Sequence, residues 1–131
     1  MFIAAFFRRR REKAQLLSRA SERLGSLTAR RKAIEVTRLA DLRRQVELWS
    51  VMNLDSSGEE EYFAVSRRIA DRVKEEAAID EYLANVRQAS VRCNSASQCE
   101  ELGSLLAIDD PWQEKLRQGR QDELPKVALK I

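Results

Sequence analysis

Apolar residues recur at helical spacing along most of this chain. Leu17, Ala20, Leu24 and Leu27 step by threes and fours, with Ile34 seven residues further on. A second set continues through Leu39, Leu42, Val46 and Trp49. Stripes of this period are the buried faces of helices. The two sets stand one residue out of phase, because Arg31 and Arg38 occupy the first set's next positions. The spacing therefore predicts one helix of roughly 40–45 residues, bent near Gly25, with its coiled-coil heptad broken at those arginines.

The stretch 53–61, NLDSSGEEE, clusters turn residues and marks the clearest boundary. Ser57 with Glu60 three residues on reads as a capping box, and Glu59–Glu61 sit where a helix dipole favours negative charge. A second helix is expected from there to about Arg92. Its stripe runs through Tyr62, Val65, Ile69 and Val73, then Ile79, Tyr82, Val86, Ala89 and Cys93. A short connection between two long helices predicts antiparallel neighbours. Ser97 with Glu100 predicts a short helix over 98–107, and Asp110-Pro111 predicts another ending near Gly119. The tail after it shows no clear period.

The expected fold is all-α: a long antiparallel helical hairpin, two short C-terminal helices and an irregular tail. It forms a single domain over 1–131, divided into a basic segment 1–54, an acidic helix 58–93 and a C-terminal part 94–131. Four Gly and two Pro in 131 residues, with 34% charged residues, agree with long helices and few turns.

Charge sharpens this picture. Residues 1–54 carry a net charge of +8 and residues 55–131 a net charge of −5. A basic half followed by an acidic half predicts elements that face each other, with Arg43 and Arg44 near Glu59–Glu61 and Asp55. Internal acid also competes with phosphate for the arginines and lowers the case for nucleic-acid binding.

Catalytic chemistry finds little support. The chain has no histidine, which removes the commonest general base and metal ligand. Two cysteines are too few for a zinc site, and no phosphate-binding loop, dinucleotide fingerprint or serine elbow occurs. No enzyme activity, cofactor, metal or small-molecule substrate is expected. Cys93 and Cys99 either form a local disulfide or stay as free thiols; free thiols are the favoured expectation for a reducing compartment. Trp49 and Trp112 are both expected in the core.

The remaining signal is MFIAAFFRRRREK at the start. Read as helix, Ile3, Phe6 and Phe7 fall in phase with Ala14 and Leu17. Arg8, Arg9, Arg10 and Arg11 then span most of the circumference as a collar behind an apolar tip. Phe2, Ile3, Phe6, Phe7 and Arg8–Arg11 are the expected partner-binding residues. A hairpin this long is also expected to leave apolar stripe exposed at one end, and so to complete its core against a protein partner or a second copy.

The expected role is a non-enzymatic structural or assembly subunit, cytoplasmic or within a large assembly. In shape alone it resembles the helical hairpins that serve as adaptors in secretion machines, virions and other large complexes. The alternative is a peripheral binder of an anionic surface, nucleic acid or membrane, through Arg8–Arg11. No run approaches the roughly 20 apolar residues of a membrane span, and the charge order is wrong for a secretory signal.

Overall fold

The computed structural model describes residues 2–52 and 54–119; for Phe2 it describes the backbone only. The expected irregular tail, 120–131, lies outside the described residues. The described chain is all-α, with no strand among those residues. Helix α1 spans Phe2–Met52, α2 Glu59–Val91 and α3 Ala96–Leu106, and a fourth helix, α4, covers 111–119. At 51 residues, α1 is longer than its stripe predicted. It runs without interruption through Gly25, which is exposed and has open space around it.

One buried phase runs along α1 from Leu17 to its end. Stepping by threes and fours from Leu17 to Met52, every position is buried or half-buried, including Arg31, Arg38, Asp41 and Gln45. A matching series runs along α2 from Tyr62 to Cys93, with Arg72 and Glu76 in its middle. The expected break in the heptad is thus corrected: the helix keeps its phase and accepts charges in the seam. It can do so because those charges meet opposite charges. Arg38 Nε pairs with Glu76 at 3.0 Å, and Asp41 accepts from Arg72 at 3.2 Å and Arg68 at 3.3 Å. The long arginine stems cover apolar surface while their heads reach these partners.

Cross-helix contacts descend α2 as they ascend α1. Arg31 meets Asp80, Arg38 meets Glu76, Asp41 meets Arg72 and Arg44 meets Glu61. The more exposed pairs, Arg31–Asp80 and Arg44–Glu61, contribute only about 0–1 kcal/mol each, and their greater effect is on register.

The apolar core lies toward the N-terminal half of α1. Ala20, Leu27 and Ile34 pack there with Ile79, Leu83 and Val86 of α2 and with Leu102 and Leu106 of α3. Tyr82 closes this core, its hydroxyl donating to the Leu105 carbonyl at 2.7 Å. Arg23 ties the chain after α3 to α1 by donating to the carbonyls of Ile108 and Asp109.

Caps differ from expectation at two starts. Gly58, with φ of +83°, takes the N-cap of α2, and no side chain caps it. A Cβ there would approach Leu48 Cδ2 to 3.1 Å and hold an unfavourable φ, so glycine fits the corner where Ser57 was expected to cap. The Ser57 amide instead donates to Asp55 Oδ1 at 2.8 Å. Helix α3 starts earlier than expected, because Ser95 rather than Ser97 accepts from the Gln98 amide at 3.3 Å. At α4, Asp110 Oδ1 accepts from the amides of Trp112 at 3.0 Å and Gln113 at 3.2 Å, as an N-cap before proline should.

Candidate docking site at the N-terminal end of the first helix

Residues 3–12 of α1 are all exposed. Packing against the rest of the fold begins with Leu16 and Leu17. Ten helical residues span about 15 Å, so this segment of α1 stands clear of the described core. Nothing in its sequence stops the helix there: alanines, arginines and a glutamate all favour it, and neither glycine nor proline interrupts.

The apolar tip is left uncovered by the other described residues. Ile3 is 72% exposed, Phe6 61% and Phe7 55%. The two phenyl rings meet edge to face at 5.8 Å between centroids, within the range such pairs prefer. The side chain of Phe2, also an expected contact residue, lies outside the described set. Behind the tip, Arg8–Arg11 are exposed in sequence around the helix, and Arg8 Nε approaches Glu12 at 3.8 Å one turn on. At that distance in water the pair is weak, so the collar keeps most of its positive field. The structure thus presents Ile3, Phe6, Phe7 and all four arginines on one segment.

Arg9, Glu12, Lys13 and Leu16 form one wall of an open crevice of about 590 Å³. The opposite wall is the start of α3, with Ser95, Cys99 and Glu100. Cys99 belongs to a disulfide with Cys93, and no free cysteine is present. The favoured expectation of free thiols is corrected here. The turn between α2 and α3 brings the two Cα atoms to 4.8 Å, well inside bridging range. Cys93 itself is fully buried in the core.

The tryptophan expectation also fails in part. Trp112 is half-buried, but Trp49 is 54% exposed. The seam takes Leu48 instead, at 4% exposure, because the phase set by Leu17 and Ala20 continues to Leu48 and bypasses Trp49. Trp49 stacks obliquely on Tyr62 at 5.7 Å, and Tyr62 meets Phe63 at 5.7 Å. This aromatic group was missed as a surface feature. Its signal was the one-residue phase offset, since a helix can bury only one of two offset stripes in a single seam.

No described helix is long and apolar enough to cross a membrane. Comparison with known protein families, curated proteins and solved structures finds no match for this chain.

Proposed function

We propose that this chain is a non-enzymatic structural subunit, whose two long helices form an antiparallel hairpin and whose exposed N-terminal helix segment docks into an apolar pocket of a protein partner. The observation that carries the reading is the exposed triad Ile3, Phe6 and Phe7 on a helix segment that the other described residues leave uncovered. Three large side chains on a rigid helical end lose little conformational freedom on docking, which favours a preformed plug. The collar Arg8–Arg11 suits an acidic rim around that pocket, where charge guides orientation and on-rate. Such a subunit would act within a large assembly, and the Cys93–Cys99 bridge favours an oxidising setting over the reducing cytoplasm expected from the sequence.

The test compares the full chain with Phe6→Asp/Phe7→Asp and with the four arginines changed to glutamine. A protein plug predicts co-purification of one partner at fixed stoichiometry from the source cells, abolished by the phenylalanine changes and largely retained at raised ionic strength. A partner held equally by the phenylalanine variant would refute the plug.

The four adjacent exposed arginines favour a second reading, contact with an anionic lipid surface with the apolar tip inserted shallowly. It predicts binding to phosphatidylserine vesicles that falls steeply with salt and disappears when the arginines are replaced. Duplex DNA serves as the control for phosphate attraction alone.

A further inference from the structure

The set Leu39, Leu42, Val46 and Trp49 stands one residue out of step with the buried seam, which turns it to one flank of α1. Cross-helix bonds identify that flank. Arg30–Glu75 at 2.8 Å and Arg44–Glu61 at 2.8 Å line one edge of the two-helix layer. Arg30 also reaches Asp110 at 3.2 Å, so the C-terminal helices sit over that edge. Gln45 donating to Ser66 at 2.9 Å and Arg31 pairing with Asp80 line the opposite edge.

Leu42 and Trp49 lie one turn beyond Arg38 and Gln45, on this second edge, with Leu39 and Val46 just outside them. On α2, Phe63 and Val73 flank Ser66 at helical spacing and fall on the same edge. Six apolar side chains therefore form one face, two helices wide, on the side away from α3 and α4. Leu42 is half-buried, and the other five are 48–66% exposed.

We infer that this face is a dimer interface, occupied by the same face of a second copy of the chain to give a four-helix layer. It lies toward the far end of α1 from Ile3, Phe6 and Phe7 and stands independently of the docking reading above. Two features favour a second copy as occupant. The face is uncharged across its centre and two helices wide, so it matches itself under a two-fold axis, the commonest symmetry of soluble oligomers. Its area is also sufficient. A large aromatic offers about 150–250 Å², and the exposed halves of these side chains leave on the order of 400 Å² per chain, the patch size that marks contact surfaces. Two such faces with their rims approach the roughly 1,000 Å² total that a specific interface requires.

The test is mass in solution by light scattering on the full chain, over micromolar concentrations. The expected mass is twice 15.1 kDa. Val46→Glu, at a side chain that is 66% exposed within one chain, should keep its helical circular dichroism and raise the dimer dissociation constant at least about tenfold. Val73→Glu on the other helix should do the same, which covers the case in which either variant folds poorly. Removal of residues 2–11 should leave the dimer intact. A monomeric full chain, folded glutamate variants that dimerise as tightly as the parent, or a dimer lost on removing residues 2–11 would each overturn the assignment.

Discussion

Arg38 Nε donates to both carboxylate oxygens of Glu76, at 3.0 and 3.2 Å, inside the seam between the two long helices. Glu76 is 7% exposed and sits where an apolar residue would continue the core. Ile69 precedes it by seven residues and Ile79 and Leu83 follow it, with Arg72 one turn before, so this pair is a point where the seam holds a register at the expense of apolar burial.

Glu76→Ala strands the Arg38 guanidinium in the seam and should lower stability by about 2–3 kcal/mol, since an unpaired buried charge costs more than its pair contributes. Replacing both residues with leucine should recover most or all of that loss. A double-mutant cycle by urea unfolding measures the coupling. Equal losses from the single and double variants would show that the pair does not act as described.

The phase of α1 can be checked two residues apart. Ile34 is 8% exposed and Val36 is 61% exposed. Ile34→Ala should cost about 2–4 kcal/mol through lost burial and a residual cavity, while Val36→Ala should fall within about 0.5 kcal/mol of the parent. Chemical denaturation of the two variants gives the comparison directly.

The Cys93–Cys99 bridge closes a loop with a sequence separation of 6. A loop this short constrains the unfolded chain modestly, so reduction or Cys93→Ala/Cys99→Ala should cost about 2 kcal/mol. Thiol titration of the unfolded, unreduced chain should find no free thiol. The melting temperature should fall on adding a dithiol reductant, with α3 losing amide protection before α1 and α2.

Asp110 caps α4 and also meets Arg30. Burial acts to raise its pKa, but hydrogen bonds from the Gln113 amide and Arg30 and the charge of Arg30 outweigh it, and the carboxyl stays below its ordinary 3.8. A carboxyl with a depressed folded-state pKa adds stability above its unfolded value and loses it as pH falls through the folded one. Asp110→Asn preserves a capping oxygen and removes the charge, so the parent should be the more stable at neutral pH, by up to about 1 kcal/mol after solvent screening. That advantage should vanish in melts recorded progressively below pH 3.8.

The helices themselves were legible in the sequence. Leu17, Ala20, Leu24 and Leu27 announce α1, Asp110-Pro111 starts α4, and residues 53–61 separate the two long helices, because period, capping chemistry and turn residues act locally. Local capping still misled at Ser57 and Ser97. Competing oxygens and one left-handed glycine were available within a few residues, and only the finished corner shows which was used.

The sequence alone determined that this chain is helical and that α1 carries two offset apolar stripes, an apolar segment at residues 2–7 and an arginine collar. Which stripe is buried depended on the second helix. Arg31, Arg38 and Asp41 can enter a seam only if Asp80, Glu76 and Arg72 arrive at the same height, and that is a property of how α1 and α2 pack. Once those charges are paired, Leu48 goes in and Trp49 stays out. Tertiary packing therefore decided where the surface is apolar, because a paired charge can take a buried position that an unpaired one cannot.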